Sequence, residues 1–291
     1  MERNLRENLK KHGFVFKKAY GQNFLTDKAL LDEIVEKALI TEDTEVLEIG
    51  CGAGALTSAL ARKAKKVIGY EIDEKLKPIL RENLREYDNV EINFMDVMKE
   101  KIENVEKNFS SEYVLCANLP YYITTPIVME FLEKAKKLKS MVIMVQEEVA
   151  LRFSAKSGTS DYGAITVAID LRGKAEILLR VNREKFTPVP NVDSAVVKID
   201  VIKGKTDGVD LASVRDLVRC AFSSRRKMLV NNIINAYKMS RSEVEDALTR
   251  AQIDLTTRGE ALNAQEFIRL SQELKGKNNE KDISSSKWKR P

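Results

Sequence analysis

Short apolar runs alternate with amphipathic stretches along the first half of the chain, and this alternation constrains the fold more than any other feature. The apolar runs have the length of strands and fall at 44–49, 66–70, 90–94, 112–117 and 140–145. Amphipathic patterns typical of helices fall at 26–39, 55–63, 73–86, 126–136 and 147–155. Strands that alternate with helices form a parallel sheet covered on both faces. The sequence therefore predicts an α/β, Rossmann-like domain.

The pattern changes in the second half of the chain. Three β-rich segments, 164–171, 175–181 and 195–201, are separated by little that could be a crossover helix. We expect them to be antiparallel strands that close the edge of the sheet. After the polar segment 203–208 the apolar spacing is helical, and a capping box is predicted at Ser240. A small all-helical domain is therefore predicted at the C-terminus.

These boundaries divide the chain into four parts. We expect a basic N-terminal arm at 1–20, a large α/β domain at 21–203, a helical domain at 209–274 and a disordered basic tail at 275–291. The net charge is only +5, but each end carries six Lys and Arg residues against two acidic ones, so the body is slightly acidic. Basic ends on such a body favour an anionic partner, although solubility tails have the same composition.

Histidine and cysteine are too scarce for several kinds of chemistry. His12 is the one histidine, and Cys51, Cys116 and Cys220 show no CxxC spacing, so we expect neither a metal site nor a disulfide framework. No run approaches the roughly 20 apolar residues that a membrane span needs. The charged first residues lack the apolar core of a secretory signal. We therefore expect a cytoplasmic protein that does not bind membranes.

The loop after the first predicted strand has the features of a nucleoside-cofactor site. Gly50, Gly52 and Gly54 allow the backbone to turn sharply and to approach a ligand closely at the carboxyl edge of the strand. Glu71 ends the second strand, 21 residues after Gly50. An acidic side chain at about that offset accepts hydrogen bonds from ribose hydroxyls.

Two acidic residues favour S-adenosylmethionine over a dinucleotide. Glu48 stands two residues before Gly50, where a carboxylate could hold the cationic amino-acid part of S-adenosylmethionine but would repel a pyrophosphate. Asp96, just after the third strand, can accept a hydrogen bond from an adenine amino group. The spacing Gly50-x-Gly52-x-x-Ala55 also fits the loose dinucleotide fingerprint, so an NAD oxidoreductase stays an alternative. That alternative lacks a residue for proton transfer beside a hydride acceptor.

The motif Asn118-Leu119-Pro120-Tyr121 directly follows the fourth strand. An amino nitrogen on an aromatic ring is a poor nucleophile because its lone pair is delocalised. The Asn118 side-chain oxygen and the carbonyl of Leu119 or Pro120 can accept both N–H groups, which aims the lone pair at a methyl donor. Tyr121 supplies a ring on which the target base can stack. A plain turn that closes a strand is the structural alternative.

Two further segments extend the predicted site. Phe186 begins a loop stiffened by Pro188 and Pro190, and its ring could hold the other face of the base, although a core aromatic in a surface loop is the alternative. The polar segment 21–25 could cover the methionine end of the cofactor, or it could be only a turn that enters a helix.

A basic stripe lies on a predicted helix of the C-terminal domain, opposite an apolar face. It suits phosphate contacts, although a solvated helix face would look similar. The predicted RNA-binding residues are Arg215, Arg219, Arg225, Arg226 and Lys227.

Taken together, the motifs occur in the order of one family. They are Gln22-Asn-Phe-Leu25, the glycine loop, Tyr70-Glu71-Ile-Asp73, Asn118-Leu-Pro-Tyr121, Phe186-x-Pro-x-Pro190 with Val192-Asp193-Ser194, and Arg258-Gly259-Glu260. From about residue 12 to residue 274 the chain resembles the small-subunit ribosomal RNA adenine dimethyltransferase A family (KsgA/RsmA). Cys51 departs from the proline common in relatives, which changes only the stiffness of the loop.

The resemblance implies a class I methyltransferase domain and a helical domain that docks on RNA. It implies dimethylation of two adjacent adenines near the 3′ end of small-subunit rRNA, with S-adenosylmethionine as cofactor, and we expect the chain to act as a monomer. It implies cofactor contacts at Asn23, Leu25, Gly50, Glu71, Asp96 and Asn118, and our predicted set adds Gln22, Glu48, Gly52, Ile72 and Val97. The predicted catalytic residues are Asn118, Leu119, Pro120, Tyr121 and Phe186.

Two alternatives share parts of this pattern. A large-subunit rRNA adenine methyltransferase of the macrolide-resistance type has the same catalytic core, but the C-terminal helices and Arg258-Gly259-Glu260 favour the small subunit. A non-catalytic RNA-binding assembly factor could retain the pocket. It would not need an intact Asn118–Tyr121 motif.

Overall fold

The computed structural model describes residues 11–14 and 23–275, and these residues form two compact units. The first, the α/β unit, contains the residues up to 155 together with 172–205. The second, the helical unit, contains 156–171 and the residues from 206 onward. Among the described residues, no helix is both long and apolar enough to cross a membrane.

The α/β unit is built on a seven-stranded sheet. Its strands are β2 (Glu45–Ile49), β3 (Lys66–Glu71), β4 (Val90–Phe94), β5 (Tyr113–Asn118), β6 (Leu138–Gln146), β7 (Gly173–Val181) and β9 (Ser194–Val201). They lie side by side in the order β4-β3-β2-β5-β6-β9-β7. The first five strands in this order, β4, β3, β2, β5 and β6, are parallel to one another. Strand β9 is antiparallel to both of its neighbours, β6 and β7. This topology confirms the predicted Rossmann-like sheet with antiparallel C-terminal strands.

Helices cover the sheet of the α/β unit and contribute to its core. They are α1 (Lys28–Lys37), α2 (Ala55–Ala61), α3 (Lys77–Asn83), α4 (Ile102–Val105), α5 (Thr124–Lys134) and α6 (Glu147–Phe153). Helix α1 begins after Asp27, whose side chain accepts a hydrogen bond from the Leu30 amide at 3.2 Å. Its apolar face packs with α2 and the central strands in one buried cluster. The apolar spacing of α1 thus predicts the face that the structure buries.

A separate pair of short strands lies beside the main sheet. β1 (Phe24–Leu25) pairs in antiparallel fashion with β8 (Phe186–Thr187), and Leu25 is opposite Phe186. Strands of two residues are too short to show a periodic signal in the sequence, so neither was predicted. Their pairing joins two segments that are more than 150 residues apart in the chain.

One predicted strand is wrong. Residues 164–171 were expected to form a strand, but Ala164–Arg172 is a helix, which we label α7. Its buried residues are Thr166, Val167, Ile169 and Leu171. A short, mostly apolar run does not distinguish a buried strand from a buried helix, because neither period stands out. Segment 156–171, which was predicted to belong to the α/β domain, is part of the helical unit.

The C-terminal part of the helical unit consists of α8 (Leu211–Phe222), α9 (Leu229–Tyr237), α10 (Arg241–Arg250) and α11 (Ala264–Lys275). Helix α8 begins after Asp210, whose carboxylate accepts hydrogen bonds from the Ala212 and Ser213 amides. The capping box at Ser240 is present, since its hydroxyl accepts from the Glu243 amide and the Glu243 carboxylate accepts from the Ser240 amide. The helical character of this region agrees with the prediction.

A candidate cofactor pocket and catalytic loop

One pocket opens at the carboxyl ends of β2, β3 and β5, the edge at which ligands bind in open α/β sheets. It gathers every predicted cofactor and catalytic residue that lies in the described part of the chain. These residues are Asn23, Leu25, Glu48, Gly50, Gly52, Glu71, Ile72, Asp96, Val97, Asn118, Leu119, Pro120, Tyr121 and Phe186. Gln22 lies outside the described residues.

The glycine loop between β2 and α2 forms the floor of this pocket. Gly50 and Gly52 have backbone φ angles of +79° and +56°, which residues other than glycine rarely adopt. A Cβ atom on Gly52 would also lie 2.9 Å from the ring of Phe24. Phe24 lines the pocket but was not predicted as a site residue, because its contact with the loop depends on tertiary structure.

Glu71 is held in position at the end of β3. One carboxylate oxygen accepts from the Gly52 amide at 2.8 Å and the other from the Asp73 amide at 2.9 Å. Burial raises the pKa of Glu71, and the hydrogen bonds from the Asp73 and Gly52 amides oppose that rise. The side chain that was predicted to bind ribose is thus fixed against the glycine loop.

Glu48 is a buried carboxyl group with one unpartnered oxygen. It is 1% exposed near the carboxyl end of β2, and its Oε2 atom has no hydrogen-bond partner among the described residues. Burial, with a contribution from the nearby Glu71 carboxylate, raises the pKa of Glu48 to about 8. A buried carboxylate is stabilised by a cation beside it. This unpartnered atom fits the positively charged α-ammonium group at the amino-acid end of S-adenosylmethionine.

The pocket wall beside β4 combines a carboxylate with apolar side chains. The Asp96 Oδ1 atom accepts from the Met98 amide at 3.0 Å, which fixes the carboxylate at the start of a short 3₁₀ turn. Ile72 is exposed, and Val97 is buried against the protein. Met95 also lines this wall but was not predicted. Apolar side chains around a carboxylate suit a flat base that has a polar edge.

Asn118 stands at the end of β5, where the catalytic loop begins. Its amide nitrogen donates a hydrogen bond to the Asn23 carbonyl at 3.2 Å. That bond fixes which end of the side-chain amide is the nitrogen. The Asn118 Oδ1 atom is therefore the acceptor that remains for an amine in the pocket.

The carbonyl groups of the same loop differ in availability. The Pro120 carbonyl accepts from the Ile123 amide at 3.1 Å and from the Thr124 hydroxyl at 3.3 Å. A carbonyl oxygen has two lone pairs, and both are engaged. Of the two carbonyls proposed from the sequence, that of Leu119 is the candidate second acceptor and that of Pro120 stabilises the start of α5.

The aromatic side chains are arranged differently from the prediction. Phe186 is only 2% exposed, because the pairing of β8 with β1 places its ring in the hydrophobic core that borders the pocket. It therefore does not present a free face in this structure, and its stacking role stays a prediction. Tyr121 is half-buried, with its hydroxyl 3.1 Å from the Ser194 hydroxyl. Tyr122, which was not predicted as a site residue, lines the pocket and is 63% exposed.

The predicted basic stripe is not continuous. Arg215 and Arg219 are exposed on α8, but that helix ends at Phe222, so Arg225, Arg226 and Lys227 lie in the turn after it. The Arg219 guanidinium is 3.6 Å from Asp216. Most of the basic arm and of the tail lies outside the described residues.

Arg225 is engaged within the helical unit. Its Nε atom donates to Glu260 at 3.1 Å, and its Nη2 atom donates to the carbonyls of Ser160 and Tyr162 at 2.9 and 3.0 Å. Through these three bonds the guanidinium links residues 160–162 to Glu260. Arg225 therefore has a structural role in the helical unit, and its predicted phosphate contact stays a prediction, as do those of the exposed Arg226 and Lys227.

Comparisons with known proteins agree with the geometry of the pocket. A family model described as ribosomal RNA adenine dimethylase matches residues 13–276. Ribosomal RNA small subunit methyltransferase A of Bacillus pumilus is 45% identical over 278 residues, which cover 92% of this chain and 94% of that protein. The protein of the same name from Enterococcus faecalis is 43% identical over 278 residues, with the same coverage of both chains.

Two solved structures resemble the fold over most of its length. A dimethyladenosine transferase from Plasmodium falciparum has a TM-score of 0.75 at 27% identity, covering 87% of this chain and 98% of that one. The 23S rRNA methyltransferase ErmE has a TM-score of 0.65 at 29% identity, covering 87% and 100%. Since the family model matches nearly the whole described chain, this protein belongs to the ribosomal RNA adenine dimethylase family.

Proposed function

We propose that this protein transfers methyl groups from S-adenosylmethionine to the exocyclic amino groups of two adjacent adenines near the 3′ end of small-subunit rRNA. The observation that carries the proposal is the Asn118 amide, oriented by Asn23 at the edge of a pocket that contains a buried carboxyl oxygen without a partner. The curated relatives at 43–45% identity are named small-subunit methyltransferases, which supports this subunit over the large one.

The cofactor would be held by groups that the fold has already positioned. Glu71 would accept hydrogen bonds from the ribose hydroxyls, and Asp96 would accept one from the adenine amino group. Ile72 and Val97 would contact the adenine faces. Glu48 would face the α-ammonium group of the amino-acid end and would ionise as that cation enters. When bound, S-adenosylmethionine supplies an electrophilic methyl group.

The catalytic loop would act on the nitrogen of the target adenine. The Asn118 Oδ1 atom and the Leu119 carbonyl would accept the two N–H groups and draw the nitrogen out of the plane of the ring. Its lone pair would then be localised and directed toward the methyl group. Both acceptors also stabilise the positive charge that develops on the nitrogen in the transition state. This mechanism uses position and electrostatics, and it requires no histidine.

The target base must leave its stacked position in the RNA, which has a free-energy cost of a few kcal/mol. Tyr121 and Phe186 would offset that cost by contacting the faces of the extruded base. Because Phe186 is buried, we expect only the edge of its ring that borders the pocket to contact the face of the base. Arg226 and Lys227 in the helical unit would contribute phosphate contacts that are independent of sequence.

The proposal is tested by methyl transfer to ribosomal subunits that lack the modification. We expect the protein to transfer labelled methyl groups from S-adenosylmethionine to small subunits, with dimethyladenosine as the product identified by mass. Asn118→Ala should lower the single-turnover rate about a hundredfold, by analogy with the loss of one oriented polar group in an active site. Transfer only to large subunits would point to the macrolide-resistance type. Binding of small subunits without any transfer would point to a non-catalytic assembly factor.

A further inference from the structure

Ser194 is a buried polar residue at the proposed site with no assigned role. It begins β9 and is fully buried, with its hydroxyl 3.1 Å from that of Tyr121. Because β9 runs antiparallel to β6, its first residue lies at the edge where the parallel strands end. That edge is the one from which Asn118 and the catalytic loop extend.

The backbone around Ser194 is held by strand pairing on both sides. Ser194 is paired with Gln146 of β6 on one side and with Val181 of β7 on the other. The preceding residue, Asp193, accepts from the Glu147 amide through its carbonyl at 3.1 Å and from the Arg183 amide through its carboxylate at 2.9 Å. The Ser194 hydroxyl therefore projects from a part of the sheet that has little freedom to move.

The catalytic loop is held at both of its ends. At the first end, the Asn118 amide donates to the Asn23 carbonyl, and at the second, the Tyr121 hydroxyl meets Ser194. The two holding segments are themselves joined, because β1 follows Asn23 and pairs with β8. Without the contact to Ser194, the half-buried ring of Tyr121 could rotate about its side-chain torsions.

We propose that Ser194 is a positioning residue for the methyl transfer: its hydroxyl fixes the ring of Tyr121, and through that ring the orientation of the loop 118–121. The inference rests on the proposed function. The strand itself does not require a hydroxyl here, since the next three residues of β9 are Ala195, Val196 and Val197, all of them buried. A hydroxyl among apolar side chains costs free energy unless it is bonded, and Tyr121 supplies the bond.

A double-mutant cycle tests this role. Ser194→Ala and Tyr121→Phe each remove one partner of the same hydrogen bond, so each should lower the single-turnover rate by about fivefold, the factor that one hydrogen bond of ordinary net strength represents. The double variant should be no slower than the slower single variant. The Kd for S-adenosylmethionine should change much less than the rate, because Glu48, Glu71 and Asp96 lie on or beside other elements and keep their positions when the loop 118–121 is released.

A matched control separates positioning from general destabilisation. Ser140→Ala removes the hydroxyl of another buried serine, in β6, outside the pocket lining. It should leave the rate unchanged, and thermal unfolding of all variants should identify any loss of fold. The inference is overturned if Ser194→Ala transfers methyl groups at the wild-type rate, or if the two single effects multiply in the double variant. Failure of the wild-type protein itself to methylate small subunits would overturn the proposed function and this inference together.

Discussion

At the scale of single residues, the site is governed by how burial changes polar groups. Glu48 and Glu71 are both buried at the ends of neighbouring strands, yet only Glu71 has both oxygens bonded to backbone amides. Glu71 is therefore fixed before any ligand binds, whereas Glu48 has an unsatisfied oxygen. A buried carboxyl group with an unsatisfied oxygen stays protonated until a cation arrives or the pH rises.

Glu48 should make the stability of the protein depend on pH. Its pKa is about 8 in the folded state and 4.5 without perturbation. Because the folded value is the higher one, the stability that the group contributes is present below about pH 4.5 and is lost as the pH rises through about 8. The Gln side chain of Glu48→Gln cannot ionise, so the variant lacks this loss. Between pH 5 and 8 the wild-type free energy of unfolding should therefore fall relative to that of the variant, by at most about 1.4 kcal/mol per pH unit. Denaturant unfolding across this range measures the difference.

The same variant provides a test of the cation. S-adenosylmethionine should raise the melting temperature of the wild-type protein more than that of Glu48→Gln, because only the wild-type carboxylate gains an ion pair. A ligand-induced shift of equal size in both proteins would show that the cationic end binds elsewhere.

Gly52 is constrained both by its backbone and by its neighbour. Gly52→Ala would place a side chain at a φ of +56° and a methyl group 2.9 Å from the ring of Phe24. We expect a loss of about 1–2 kcal/mol from the backbone conformation alone, with weaker cofactor binding because the Gly52 amide orients Glu71. Gly163→Ala is the control, since nothing lies within 4 Å of its Cβ position. Calorimetry and thermal unfolding measure both effects, and equal behaviour of the two variants would contradict the explanation.

At the scale of secondary-structure elements, short segments that carry no periodic signal position the chemistry. The pair β1–β8 brings the chain before α1 against the loop before β9, so Asn23 reaches Asn118. In the helical unit, the segment 156–162 is attached by Arg225 and by the bond from the Gly158 amide to the Glu260 carbonyl at 2.8 Å. These contacts are tertiary, and each joins residues far apart in the chain.

Arg225 and Arg226 are adjacent in the chain but should behave differently on substitution. Arg225→Ala removes three hydrogen bonds of a partly exposed side chain, so we expect a loss of about 1 kcal/mol of stability and faster hydrogen exchange at residues 158–162. Arg226→Ala should leave stability and exchange unchanged and should weaken RNA binding. If Arg225→Ala weakened RNA binding with no change in exchange, Arg225 would be a phosphate contact after all.

At the scale of the whole molecule, positive charge is concentrated near the ends of the chain on a slightly acidic body. Such a distribution suits an RNA partner that is bound by several separate phosphate contacts, each of which releases counterions. The family assignment agrees with this distribution, since the family acts on ribosomal RNA.

RNA binding should therefore depend on salt. Reversing the charges of Arg226 and Lys227 should reduce the slope of log K against log salt by about 0.7–0.9 for each phosphate that the protein no longer neutralises. Deleting residues 1–12 should reduce it further. Lys139→Glu is a control, because Lys139 is an exposed cation on β6 in the α/β unit, outside the predicted RNA-binding residues. A slope that stays the same in all variants would place the RNA on another surface.

The sequence by itself determined the parallel sheet with its covering helices and the edge at which the site lies. It did so because buried strands, amphipathic helices and glycine turns leave strong local signals, and because the carboxyl ends of parallel strands must meet. Glu48, Glu71 and Asn118 could be identified for that reason.

Only the tertiary structure decided which atoms of those residues are available. In the structure, the Pro120 carbonyl accepts hydrogen bonds from the start of α5, and Phe186 is buried by the pairing of β1 with β8. The segment 164–171 is helical, and Arg225 donates hydrogen bonds within the helical unit. The physical reason is common to all four: each outcome depends on partners that the local pattern does not specify. Local propensity and spacing contain no information about hydrogen bonds and burial that arise only when those partners meet.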